Sequence, residues 1–203
     1  RKASSPGTPW QDRRMPPTPS ALRLFIDQPL AGLPPGTELS LPPGPARHVQ
    51  VRRLQPGHML ALFDGSGNDW PATVCAMGKA EVRVRLGASH AVHAELPWPV
   101  TLALAMPANE RMDTLVEKAA ELGVAAVQPL VAERSVLRLA GERAERKQAH
   151  WQAVAQAACE QCGRSVVPTV YCSSAMSSGV AAPPGPGCNG LPSHNLTAAE
   201  LAS

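Results

Sequence analysis

Five polar residues in the second half of the chain have types and spacing suited to chemistry on a polar ligand. Glu121 closes one amphipathic stretch, Arg134 follows an apolar run, and Glu160, Gln161 and Arg164 close a second amphipathic stretch. Sites in α/β proteins are assembled at the ends of strands and helices. Carboxylates and guanidiniums there can orient a polar edge and help to move a proton. The plainer reading is structural. Glu160 and Arg164 are four apart and can pair on one helix, and a cation near a helix C-terminus complements the dipole.

Other chemistries are poorly served. There is no G-x-x-x-x-G-K loop and no G-x-G-x-x-G after the first strand of that half, so neither nucleotide hydrolysis nor a dinucleotide cofactor is supported. Ser135 has no nucleophile-elbow context and no His placed to activate it. Cys159-x-x-Cys162 resembles half a zinc site, but Cys172 and Cys188 do not form a second pair at similar spacing. A redox dithiol usually opens a helix after a strand, whereas this pair closes one. His90-x-x-His93 lies before Pro97 without partners and reads as surface. No metal is expected.

The elements that must position these residues fall into two regions, joined at Pro97–Pro99. From 21 to 97 the pattern is of short strands and turns. Strands are expected at Leu22–Ile26, Glu38–Leu41, Met59–Phe63, Trp70–Met77 and Glu81–Leu86, with one or two helical turns between Pro45 and Leu54. Asp64-Gly65-Ser66-Gly67 is a strong turn signal. In the last strand Val82, Val84 and Leu86 alternate with Arg83 and Arg85. Strands at this spacing predict a small barrel.

From 98 to 170 the period changes. Val100–Met106 is nearly continuous apolar, which predicts a buried strand. Asn109 is the expected cap of a helix over Glu110–Leu122, with Met112, Leu115, Val116, Ala119 and Ala120 as its apolar stripe and Gly123 as its stop. A strand over Ala125–Val131, a helix over Gly141–Gln161 and a strand over Val166–Val170 complete a β-α-β-α-β order and hence a parallel sheet.

Both ends differ from this body. Residues 1–20 hold five Pro and four basic residues and read as a disordered arm, with Met15 a better start than Arg1. Residues 171–203 hold 14 Gly, Pro and Ser and a single charge, Glu200, whereas 101–170 hold eight charges of each sign; this tail also reads as disordered. No run of 18 apolar residues is present to span a membrane, and no signal peptide is evident. Five Cys without a signal peptide point to a reducing cytoplasm. The net charge of +3 says little about nucleic acid, but its distribution is suggestive. Arg47, Arg52 and Arg53 cluster, Arg83 and Arg85 share a strand face, and with Arg23 they form the expected RNA-contact set.

Together, these motifs resemble a known family. Arg23-Leu24-Phe25-Ile26, Leu54-x-Pro56-Gly57 and Leu62-Phe63-Asp64-Gly65 are similar to the N-terminal region of the RsmE family. These are bacterial 16S ribosomal RNA uridine-N3 methyltransferases of the SPOUT class. Arg111-Met112-Asp113, Glu117-Lys118-Ala119 and Glu121-Leu122-Gly123-Val124 match the family's first methyltransferase helix. Glu133-Arg134-Ser135-Val136 matches the following loop, and Glu160-Gln161-x-Gly163-Arg164 with Val167-Pro168 matches the end of the long helix. The likeness runs over about 22–170.

It implies an α/β protein with an N-terminal PUA-like β-barrel (21–97) that holds RNA and a knotted SPOUT domain begun by 98–170. It also implies S-adenosylmethionine as cofactor, 16S rRNA or the small subunit as partner, and a homodimer. The family's Gly-Pro-Glu-Gly-Gly and Leu-Arg-x-Glu-Thr-Ala segments, which build its cofactor site, do not occur in 171–203. A truncation or frame change after Val170 is therefore expected, with the cofactor contacts unassigned. A non-catalytic RNA-binding fragment is the alternative.

Overall fold

The computed structural model of the protein describes residues 22–79, 81–107, 109–131 and 141–175. The expected arm at 1–20, the loop carrying Arg134, the capping side chain of Asn109, and the tail beyond 175 lie outside them.

The first region is a sheet built on period-two alternation. Its strands are β1 (Arg23–Phe25), β2 (Glu38–Ser40), β3 (Met59–Phe63), β4 (Asn68–Met77), β5 (Val82–Leu86) and the short β6 (His90–Ala91), with helix α1 (Pro43–Val51) inserted after β2. The order is β1-β3-β4-β5-β2, with β6 also pairing β4. Only β1 and β3 are parallel, in the register Leu24 to Leu62. Val82, Val84 and Leu86 of β5 point inward while Arg83 and Arg85 point out, as the alternation demands. The inward set packs with Leu24, Ile26, Val49, Leu60, Leu62, Trp70 and Val74 in one apolar core.

The turn after β3 is held by Asp64. Its carboxylate accepts the Ser66 backbone N–H at 3.0 Å and the Leu30 backbone N–H at 2.8 Å. Partial burial pushes the carboxyl up, but the Ser66 hydroxyl and these backbone bonds outweigh it and hold the carboxyl below its ordinary pKa of 3.8.

The second region alternates strand and helix: β7 (Thr101–Ala105), α2 (Asn109–Glu121), β8 (Ala126–Val131), α3 (Glu142–Cys162), β9 (Thr169–Val170) and β10 (Ser174–Ala175). All its strand pairs are parallel. β8 is central, with β7 on one side and β9 then β10 on the other; the Gln128 amide spans the gap between them by donating to the Cys172 carbonyl at 2.9 Å. The chain leaves α2 through Gly123, at φ +93°. There the Val124 N–H reaches the Ala119 carbonyl and the Gly123 N–H that of Ala120, both at 3.1 Å. Gly123 takes this left-handed turn without the strain a Cβ would bring. Met112 and Val116 of α2 and Trp151 and Ala155 of α3 fill the core under the sheet. Asp113 ties the helices by accepting the Trp151 indole N–H at 3.0 Å, with the His150 ring nitrogen also 3.0 Å away.

Three expectations change. First, β7 is not buried: Thr101, Ala103 and Ala105 are exposed and Leu102 and Leu104 half-buried. Among the described residues it is an edge strand, and only the face bearing Leu102 and Leu104 meets the helical core. Second, the strand expected at Val166–Val170 shrinks to Thr169–Val170, because Val167 packs instead against the interface between the two regions. Third, order does not stop at Val170. The Tyr171 N–H bonds the Val127 carbonyl at 2.9 Å, and Ser174–Ala175 pair with Leu130–Val131. The edge of β8 offers unpaired backbone groups that this segment satisfies.

Candidate functional site

Charged side chains gather where the end of α3 meets the first sheet. Gly163, at φ +89°, stops α3 and turns the chain so that Arg164 and Ser165 enter the junction. Arg164 is only 3% exposed. Its guanidinium donates to the Glu95 carboxylate at 3.1 and 2.5 Å and to the Ala120 carbonyl, at the end of α2, at 2.7 Å. Burial opposes the charge on Arg164, but the Glu95 carboxylate outweighs it and the pKa stands above its ordinary value.

Beside it, Arg23 forms a fork on Asp69 and also donates to the Arg164 carbonyl and the Ser165 hydroxyl, each at 3.2 Å. The Ser165 hydroxyl donates to Asp69 at 2.5 Å. The Arg23 guanidinium also lies 5.1 Å from the centre of the Phe63 ring, and Phe63 packs with Ala120, Ala158 and Cys159 in an apolar plug between the regions. Glu160 joins them too: one oxygen accepts the Phe25 N–H at 3.0 Å and the other lies 3.9 Å from His48. A carboxylate bonded to backbone N–H, two guanidiniums on carboxylates and an apolar plug form a clamp.

This geometry revises several expectations. Arg23 turns inward to Asp69, with 17% of its side chain exposed. Arg164 and Glu160 do not pair with each other; both face the other region, because α3 ends against β1 and not in solvent. Glu121 stays at the end of α2, where it accepts from Lys118 at 2.8 Å. Gln161 is exposed, and Arg134 lies outside the described residues. The four described residues, Glu121, Glu160, Gln161 and Arg164, therefore do not converge on one mouth. Arg83 and Arg85 face solvent but share Glu38, at 3.8 and 2.8 Å. Arg47, Arg52 and Arg53 are exposed.

Asp69, Ser165 and Glu95 did not emerge from the sequence. Asp69 carried a readable signal, as a carboxylate beside Trp70 on an otherwise apolar strand. Glu95 had none, since its partner arrives from 69 residues away. Cys159 is buried with its thiol on the Val166 carbonyl, and burial pushes its pKa up to about 12, so it is an inert thiol.

A second feature is an open groove of about 600 Å³ along α2, lined by Leu102, Arg111, Thr114, Leu115, Lys118 and Leu122 among others. It follows the flank of α2 from Glu110 and Arg111, just past the carboxyl end of β7, to Leu122; ligands of such sheets bind at the carboxyl ends of the strands. At those ends the chain runs from β7, β8 and β10 towards residues 108, 132–140 and 176–203, outside the described set. No group of three or more His, Cys, Asp or Glu side chains among the described residues is placed to hold a metal, and no helix there is long and apolar enough to cross a membrane.

An N-terminal sheet clamped to a β-α-β-α-β parallel sheet makes this an α/β protein, and comparison with known proteins gives the class as an α/β methyltransferase fold. Residues 94–183 match the RNA methyltransferase domain model. The ribosomal RNA small subunit methyltransferase E of Synechocystis is 35% identical over 123 residues, which are 60% of this chain and 38% of that protein. The Mycobacterium bovis protein of the same name is 34% identical over 59% of this chain and 45% of its own length. A Legionella pneumophila methyltransferase solved with SAM superposes with a TM-score of 0.72 at 33% identity, over 76% of this chain and 63% of that one. The Neisseria gonorrhoeae ribosomal RNA small subunit methyltransferase E, bound to S-adenosyl methionine, gives 0.70 at 34% identity over 75% and 62%. Over these lengths the chain is similar to the RsmE family of ribosomal RNA methyltransferases. It spans under half the length of these two curated relatives and under two thirds of these two solved ones.

Proposed function

We propose that this chain supplies the RNA-holding region and the first half of the catalytic domain of an S-adenosylmethionine-dependent 16S rRNA methyltransferase acting on N3 of a uridine. The observation that carries this reading is the joint match in sequence and fold to the SAM-bound Neisseria protein. In this reading the first sheet is the PUA-like barrel and the second opens a SPOUT domain. The protein works in the cytoplasm, where its rRNA substrate lies.

The cofactor supplies an electrophilic methyl carbon. The groove along α2 is open, whereas a ligand of this size needs a pocket that buries most of its surface. Arg134, three residues past the end of β8 in sequence, is the substrate-side residue we retain. Arg164 and Glu160 act as positioning residues, fixing the RNA-holding sheet against the catalytic one, where a misplacement of 1 Å can cost about 100-fold in rate. A homodimer is part of the same reading. It is supported by large apolar residues left exposed in the second region, Trp98 at 76% and Leu122 at 75%.

The test is a chimaera in which residues after Ala175 are replaced by the matching segment of the Neisseria relative. It should move labelled methyl groups from S-adenosylmethionine to unmethylated small subunits. Arg134→Ala should then lower turnover without lowering the melting temperature. A folded chimaera that binds S-adenosylmethionine yet leaves the rRNA unlabelled would overturn the proposal.

A further inference from the structure

The end of α1 carries a feature that packing does not require. Its last turn closes with the Leu54 N–H on the Val49 carbonyl at 3.2 Å and the Arg53 N–H on the Gln50 carbonyl at 2.9 Å. This double closure needs a left-handed residue at its centre, and glycine is the favoured one. α2 and α3 place Gly123 and Gly163 there, both near φ +90°. α1 instead places Arg53, the only described non-glycine residue with positive φ, at +52°. A long side chain held in that region points to a use for the side chain. It is not packing, since Arg53 is exposed and makes no ion pair among the described residues.

Neighbouring groups indicate the use. The Gln50 side chain donates to the Gly78 and Lys79 carbonyls at 2.9 and 3.2 Å, drawing the β4–β5 turn against the end of α1. One residue thus holds Arg53 through its carbonyl and Lys79 through its amide. Arg47 and Arg52 are exposed beside them, and no carboxylate among the described residues pairs with any of the four. The strand face of Arg83 and Arg85 is different, because both lie beside Glu38, whose negative charge offsets theirs.

We propose that the end of α1 and the β4–β5 turn form the phosphate-contacting surface for RNA, with Arg53 and Lys79 at its centre and Gln50 as its positioning residue. The proposal rests on the reading of RNA as partner and assigns it to one face of the first region. Arg53 is kept in a conformation better suited to glycine because its charge is used.

The test is anisotropy of a fluorescein-labelled RNA hairpin titrated with the full chain across a range of salt concentrations, alongside thermal melting. Arg53→Gly and Lys79→Ala should each weaken binding and flatten the salt dependence of log K by about one. Arg53→Gly should melt at the same temperature as the parent or higher, and Arg85→Ala should keep the parental slope. Unchanged slopes for both Arg53→Gly and Lys79→Ala, or an equal loss in Arg85→Ala, would overturn the surface while leaving the RNA reading intact. A lower melting temperature for Arg53→Gly would make its side chain structural and remove it from the surface. If the parent chain binds no RNA at any salt, the reading of RNA as partner fails.

Discussion

Replacing Arg164 with Ala removes the most deeply buried cation described in the chain. Three hydrogen bonds are lost, two to Glu95 and one to the Ala120 carbonyl. The carbonyl then faces a void at the end of α2, and Glu95 loses its cation. Breaking a fully buried pair by removing one partner costs about 3–5 kcal/mol. Glu95 keeps a third of its exposure and can turn to water, so the expected loss is smaller, about 2–4 kcal/mol. Urea unfolding at neutral pH measures it, with Glu95→Gln as a companion that keeps the shape and removes one charge. Glu95→Gln should lose less than Arg164→Ala, because its amide can still accept from the guanidinium. Loss in Arg164→Ala should also broaden or split the transition, since the two regions are then held mainly by the Arg23–Asp69–Ser165 network, Glu160 and the Phe63 plug. A loss under about 1 kcal/mol with a single sharp transition would refute the clamp and return Arg164 to the list of substrate-side residues.

Gly123→Ala should destabilise by about 1–2 kcal/mol, since its φ is +93° and the added Cβ would lie 3.0 Å from Leu96; chemical denaturation measures this. Asp64→Asn should cost about 1–2 kcal/mol at neutral pH through the two N–H bonds its carboxylate accepts. The folded pKa of Asp64 lies below 3.8, so its contribution is present above that pH and fades as pH falls through the folded value. The stability gap between variant and parent should therefore narrow in acid, and a gap that is constant with pH would contradict the assignment. Iodoacetamide at pH 8 should modify exposed Cys162 well before Cys159, whose thiol titrates only near 12. Peptide mapping that finds Cys159 alkylated first would contradict its burial.

The strands and helices could be read from the sequence because they follow local rules. Val82-Arg83-Val84-Arg85-Leu86 alternates and forms a strand with its Val and Leu residues inside. The stripe from Met112 to Ala120 follows the helical period, and Gly123 and Gly163 stop their helices. Failures occurred where long-range placement decides the outcome. The apolar run at β7 looks buried until its place at the sheet edge is known. Arg23 looks like a surface cation until Asp69 arrives from 46 residues away. By spacing alone, Glu160 and Arg164 suit an i,i+4 pair or a pocket rim. In the fold, α3 ends against the first sheet, so each takes a partner from that side. Tyr171 to Ala175 carry weak strand signals, and only the free edge of β8 gives them order.

The central claim is the chemistry assigned to the family fold, and its product is the most direct test. Methyl-deficient small subunits can be treated with S-adenosylmethionine and the chimaera completed after Ala175, and the 16S rRNA then digested to nucleosides and analysed by mass spectrometry. The account predicts a single new nucleoside, 3-methyluridine, absent when the rRNA is incubated without enzyme. A methyl group on any other base, on ribose, or on ribosomal protein in place of N3 of uridine would contradict it.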